Sequence, residues 1–341
     1  MSKRKNSKRA SNRAVSAEKE PGSRARKLDK RPIKQRLRLR RASIAKLCWF
    51  LCGYVVLIAL AGWLVDRPTG IDGFFHVSAW LFPTVIVLAF LFETVDSAAG
   101  MGFGTALTPL LLAMGYDPLT VVPTLLIVQA ITGIVTASAH HEFQNVQFSI
   151  RNGLNEATKL MLLIALFGVA AVIVSIVLVY LTFKLPASII ESYVAVLVLV
   201  MGIAALGHRF AARGKPAFRP KRMIGFAALA GVNKGIGAGG YGPVVTLGQL
   251  YAGVYEKSAA AITSLAEAWV SIAGAITFFA ITAAGIKLDF DLLPSVLAGS
   301  LLAAIGSPYL VRILPNRIIS YLIPGYAVII AAVLMAKLYL P

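Results

Sequence analysis

Nine apolar stretches, parted by short charged or proline-containing breaks, constrain this chain more than any other feature: 47–65, 78–114, 118–139, 159–183, 186–206, 223–251, 258–284, 292–311 and 318–339. Most have the ~20 residues a helix needs to cross the hydrocarbon of a bilayer. Composition points the same way, because 57% of the 341 residues are hydrophobic and 14% charged, too little polar cover for a water-soluble globule. Lipid is the expected solvent. The fold class that follows is an all-α integral membrane bundle of about 8–10 transmembrane helices.

The formal charge of +19 looks like a nucleic-acid signature until it is located. Residues 1–46 hold 18 Lys/Arg against Glu18, Glu20 and Asp29, a net of +15 that leaves +4 for the other 295 residues. This tail is rich in Ser, Lys and Arg and nearly free of aromatics, a composition that predicts disorder. Without aromatic interleaving, and with a span directly after it, it reads as a cytoplasmic anchor on anionic lipid, and no nucleic acid is expected. The ~46-residue charged lead-in also argues against a cleaved signal peptide. Cys48 and Cys52, one helical turn apart in the first span (47–66), read as small packing residues.

Charge asymmetry sets the orientation. The tail and the loop 207–222, with Arg209, Arg213, Lys215, Arg219, Lys221 and Arg222, belong on the cytoplasmic side. Counting spans between these anchors requires 78–114 to start and finish on the outer face, and 223–251 on the inner face. Each would be a broken or re-entrant pair of half-helices, and each contains the glycine cluster that favours such a break. The N-terminus is then cytoplasmic and the C-terminus periplasmic or extracellular, in a multi-pass inner-membrane protein.

Sliding the sequence on itself by 138 residues aligns Gly102-Phe103-Gly104 with Gly240-Tyr241-Gly242. The ungapped register continues through Thr108 and Thr246, Leu112 and Leu250, Gly115 and Gly253, Thr120 and Ser258, Gln129 and Glu267, and Ala130 and Ala268. The organisation expected is therefore repeat 1 over 78–206 and repeat 2 over 223–340, each a hairpin plus three spans. An odd number of net crossings turns the second copy upside down, an inverted-repeat plan found in transporters.

The stretches FETVDSAAGMGFGTALTPLLL, GYDPLTVVPTLL and AGVNKGIGAGGYGPVVTLG resemble the paired glycine-rich signatures of the sulfite exporter TauE/SafE family, over roughly residues 78–340. Ala98, Ala99 and Phe103 stand where that family often has glycine. The resemblance implies a secondary transporter of a small sulfur-containing anion such as sulfite, a sulfonate or sulfoacetate.

The residues suit that task. Gly100, Gly102, Gly104, Gly237, Gly239, Gly240 and Gly242 would let backbone N–H groups approach an anion, with Thr105, Thr108, Gln129, Asn233 and Tyr241 lining the same breaks. The alternative for any one glycine is close helix packing. Lys234, at membrane depth, would either meet the anion or pair with Asp96, its mate at the 138-residue offset. Glu267, nine residues past Ser258, falls near mid-membrane and is a proton-coupling candidate together with Glu93 and Asp96, which share one helix face. An inter-helix hydrogen bond is the plainer role for Glu267 and Gln129. His140 and His141 are read as a solvated loop rather than a metal site, and 143–154 as an interfacial helix. No nucleophile motif, P-loop or HExxH occurs, so no cofactor, metal or hydrolytic activity is expected. An intramembrane enzyme and a non-transporting scaffold are the competing classes, and a homo-oligomer is compatible with the sequence.

Overall fold

The computed structural model describes residues 21–39, 41–65, 75–76, 81–150, 153–186 and 218–315, with scattered positions between 188 and 207 and between 325 and 336. The charged positions Arg209, Arg213 and Lys215, the first 20 residues and nearly all of the predicted span 318–339 lie outside that set, and the span 186–206 is described in part. Short helices α1 (Ser23–Asp29) and α2 (Ile33–Leu37) precede α3 (Arg41–Val65). Then come strand β1 (Phe75–His76), α4 (Pro83–Ala99), α5 (Phe103–Ala113), α6 (Pro118–Glu142) and α7 (Glu156–Ile176), which runs on as a π-helical stretch over Val177–Thr182. The second half contributes α8 (Met223–Gly237), α9 (Tyr241–Tyr251), α10 (Glu256–Thr282), β2 (Leu288–Asp289) and α11 (Leu293–Ile313). Among the described residues the fold is all-α apart from β1 and β2, which pair in parallel with Phe75 opposite Leu288.

Local chemistry explains the ends. Asp117 caps α6 by accepting from the Leu119 N–H at 2.7 Å, and Pro118 takes the first helical position, where no donor is needed. Asn155 caps α7 through the Thr158 N–H at 3.0 Å. α4 stops at Gly100, whose φ of 67° suits glycine, and its N–H closes on the Asp96 carbonyl at 2.6 Å. The matching stop of α8 falls on Ala238 at φ 53°, a left-handed residue without the glycine that usually occupies it.

Four helices among the described residues are long and apolar enough to cross a membrane: Pro118–Glu142, Glu156–Thr182, Glu256–Thr282 and Leu293–Ile313. Their outward faces carry large apolar side chains such as Leu166, Val174, Trp269 and Ile276, whereas Glu93, Gln129, Lys234 and Glu267 are buried. Apolar outside and ionisable inside is the reverse of a soluble bundle and what lipid solvation demands.

The 138-residue register reappears in the helix limits: 103–113 becomes 241–251, and 118 becomes 256. Packing follows it too. α4 lies on α11 as α8 lies on α7, and α6 crosses its own counterpart α10. The hairpins enter from opposite ends of the bundle. At one end the Phe82 N–H donates to Ser295 Oγ at 2.8 Å, joining the start of α4 to the start of α11. At the other end the Arg219 N–H bonds the Ala252 carbonyl at 3.0 Å, which ties the entry of the α8–α9 hairpin to its exit. Asn145 marks the same end, donating to the Pro308 carbonyl and accepting at its own carbonyl from Ser258 Oγ.

Two expectations are corrected. Residues 21–39 and 41–46 are not a disordered tail: they carry α1, α2 and the start of α3, and Ala25 and Leu28 are buried. Composition missed this because what docks them is a set of long-range polar contacts described below. Residues 143–150 are irregular rather than an interfacial helix, since Gln144 turns left-handed at φ 66° and the buried Asn145 bonds His140 and Pro308.

Candidate functional site

At mid-bundle the two breaks meet back to back. A methyl group placed on Gly104 would run into the Ala238 carbonyl, and one on Gly242 would sit 2.5 Å from the Gly100 carbonyl and 2.7 Å from Met101 Cα. These contacts are each other's image under the 138-residue shift, 104 on 238 and 242 on 100. Thr105 Oγ1 accepts from the Gly240 N–H at 3.2 Å, and Thr246 Oγ1 donates to the Gly100 carbonyl at 2.9 Å. The breaks therefore place the first residues of α5 and α9, the positive ends of two half-helices, at the centre of the molecule.

Beside that crossing lies an ionic cluster. The Lys234 ammonium, with no exposed surface, donates to Glu267 Oε1 and to Gln129 Oε1, each at 2.6 Å. The Gln129 amide nitrogen donates to the same Glu267 oxygen at 2.9 Å, so three side chains from α6, α8 and α10 close a ring. The Tyr241 ring stands 5.4 Å from the ammonium, within cation–π range. Sequence alone offered Asp96 as the ion-pair partner of Lys234, and this is corrected. Lys234 pairs with Glu267, while Asp96 Oδ1 accepts from the Phe103 N–H at 3.3 Å, at the start of α5.

Glu93 belongs to a neighbouring polar group. Ser97 Oγ donates to Glu93 Oε1 at 2.8 Å, and the Thr136 hydroxyl lies 2.9 Å from Ser97 Oγ. Below them His140 is buried, not solvated. Its Nε2 donates to the Ser97 carbonyl at 2.7 Å, because Nδ1 is taken up in accepting from the Asn145 amide at 2.9 Å. Ser97, Thr136, His140 and Asn145 were not legible as site residues, since Ser and Thr are ordinary in apolar helices and only the fold stacks them.

The other expected positions are distributed as follows. Gly102, at φ 150°, precedes α5, Gly237 ends α8, and Gly239 lies between the left-handed Ala238 and Gly240. Asn233 accepts from the Tyr193 hydroxyl, and its own amide nitrogen finds no partner among the described residues. Thr108 Oγ1 and Tyr241 Oη are likewise buried and unpartnered there.

Fold and centre together define a polytopic helical membrane transporter, with a buried charged cluster beside the crossing of two broken hairpins. The chain belongs to the sulfite exporter TauE/SafE family, whose model matches residues 85–335. It is also 25% identical over 264 residues to the probable membrane transporter protein YtnM of Bacillus subtilis (strain 168), covering 73% of this chain and 81% of that protein.

Proposed function

We propose that this protein is a secondary transporter of a small sulfur-containing anion, in the class of sulfite, sulfonates and sulfoacetate, working by alternating access with a coupled proton in the inner membrane. The observation that carries this reading is the fully buried Lys234 ammonium, held at 2.6 Å by one carboxylate and one carboxamide. A cation at membrane depth costs several kcal/mol unless it is matched, so it is kept there for a purpose. The two half-helix starts differ in a telling way. At α5 the Asp96 carboxylate already accepts from the Phe103 N–H. At α9 the corresponding side chain is Lys234 rather than an acid, so the end near Tyr241 favours an anion brought from outside.

In this mechanism the substrate anion competes with Glu267 for Lys234. When the anion takes the ammonium, the Glu267 carboxylate binds a proton, Gln129 holds its protonated form, and the loaded centre gains no net charge. The hairpins then part on one side and close on the other. The two breaks belong to opposite ends, so opening one while the other stays sealed presents the same centre to alternate faces. The tail and the 207–222 loop face the cytoplasm in this orientation, and the β1–β2 end faces out.

Uptake of radiolabelled sulfite, sulfoacetate and taurine into proteoliposomes tests the substrate class, with sulfate and carboxylates alongside. Movement of carboxylates alone would reject it. Ligand present at about 100 times its dissociation constant should stabilise the purified protein by about 2.7 kcal/mol in a thermal-shift measurement. The proton assignment predicts that Glu267→Gln abolishes the acceleration of uptake by an inward proton gradient, while counterflow exchange persists. Retained gradient dependence in a folded Glu267→Gln protein would transfer the role to Glu93 or Asp96.

A further inference from the structure

The segment 21–39 is tied to two spans, α10 and α11, at one end of the bundle. Asp29 Oδ1 accepts from Lys257 Nζ at 2.6 Å at the start of α10, and its Oδ2 accepts from the Tyr255 hydroxyl. Lys257 is 1% exposed, so this ion pair is an interior one although one partner comes from a basic N-terminal segment. Gly22 turns at φ 95° directly against Tyr255 and Ser258, and the Arg26 guanidinium lies 5.3 Å from the Tyr255 ring. Burial first, and then the Asp29 carboxylate, push the Tyr255 phenol well above its usual range, which keeps it a donor. Arg36 braces Asp29 at 3.1 Å.

The same segment grips α11. Arg312, near the end of α11, donates to the Arg36 carbonyl at 2.6 Å, the Arg38 carbonyl at 3.2 Å and the Phe143 carbonyl at 2.7 Å. The Tyr309 hydroxyl donates to the Leu37 carbonyl at 2.9 Å. Lys46, just beyond on α3, pairs with Glu142 at the last turn of α6. Thus α10, which carries Glu267, and α11 have their ends on this side bound by one strap, residues 21–39, while α6, which carries Gln129, is tied to the start of α3 by Lys46. The strap lies wholly before residue 85, where the match to the family model begins.

We infer that residues 21–39 form a latch that holds this end of the transporter shut, and that opening toward this side requires Asp29 to release Lys257 and Tyr255. The inference uses the alternating-access reading, but its test needs no substrate. Opening this end breaks the bonds from Lys257 and Tyr255 to the Asp29 carboxylate together, and hydrogen bonds to a charged group are the stronger ones, so they weight the arrangement in which both are made. Coupling of a local contact to a two-state opening commonly shifts the equilibrium by 1–3 kcal/mol, about 5- to 150-fold.

Ser258, buried under Gly22 at this end, is the reporter position. In the full-length protein with Cys48→Ala, Cys52→Ala and Ser258→Cys, the rate of alkylation by a charged maleimide in proteoliposomes measures how often the end opens. Asp29→Asn should raise that rate about tenfold, and Lys257→Met should do the same. The double variant should exceed neither single by more than about twofold, because both remove one shared contact. Each single variant strands one partner of an interior pair and lowers the melting temperature, whereas the double variant recovers most of that loss. Its alkylation should therefore stay fast while its melting temperature returns toward that of the parent. Equal alkylation rates in every protein, fully additive effects, or acceleration that tracks a lowered melting temperature would overturn the latch. Failure of every tested anion to move would reject the proposed substrate class and leave the alkylation result to decide the latch by itself.

Discussion

Replacing Lys234 with alanine removes about 3–5 kcal/mol of folding stability and all anion binding. The loss follows from what stays behind. Glu267 and Gln129 remain buried, and the carboxylate oxygen that took the ammonium at 2.6 Å keeps the Gln129 amide as its remaining bonded neighbour. Removing one member of a buried pair strands the other, which costs more than the pair contributes. The paired change Lys234→Met with Glu267→Leu discriminates stability from function. Apolar side chains of similar length should return most of the lost stability, since a buried ion pair is often no better than well-packed hydrocarbon. Binding and flux should stay absent in that double variant. Denaturant or thermal unfolding in detergent supplies the first reading and radiolabelled-anion uptake the second. A single variant that loses under about 1 kcal/mol would mean that Glu267 gives up its charge on losing its partner, and that the pair is not what holds α8 to α10.

Gly104→Ala and Gly242→Ala are the smallest changes expected to stop the transporter. Each adds one methyl group where the partner hairpin presents backbone: the Ala238 carbonyl for the first, the Gly100 carbonyl and Met101 Cα for the second. Backbone cannot swing aside as a flexible side chain can, so the hairpins must separate. Over-packing of this kind costs about 1–3 kcal/mol and displaces the half-helix starts from the centre. Gly306→Ala in α11 is the control, because nothing lies within 4 Å of its added methyl. It should be neutral or stabilising by up to about 1 kcal/mol. Uptake per folded molecule, compared across the three, should fall at least tenfold in the first two and hold in the third. Wild-type uptake by Gly104→Ala would show that the breaks do not need to touch.

Much of this arrangement could be read from residues alone, and the misses have a physical reason. The shift of 138 residues paired the two glycine breaks and the segments after them, and the helix limits keep that register because glycine pairs and Pro118 are local stop and start signals. It also brought Gln129 and Glu267 to one depth, and the two prove to be bonded. The same shift misled for Lys234. Residues related by a two-fold meet each other only where the axis passes between them, as it does at 129 and 267. Asp96 and Lys234 lie off that line, so each meets a different neighbour. The latch was invisible for another reason. Its composition is that of a solvated chain, and its docking partners Tyr255, Lys257 and Arg312 are more than 200 residues away. Nothing nearby in sequence announces them.

Gln129 and Glu267 occupy equivalent places in the two halves and bond to one another at 2.9 Å, and Lys234 reaches both at 2.6 Å. In a doubled molecule with two identical halves, this spot would have held either two acids or two amides facing each other, one arrangement repulsive and the other inert. Divergence at two positions resolves both difficulties: Gln129 against Glu267 gives one amide and one acid, and Asp96 against Lys234 gives the one cation that they share. Exchanging the two residues should therefore leave the ring intact while moving its acid from one half to the other. Whatever directionality survives that exchange is written elsewhere in the chain.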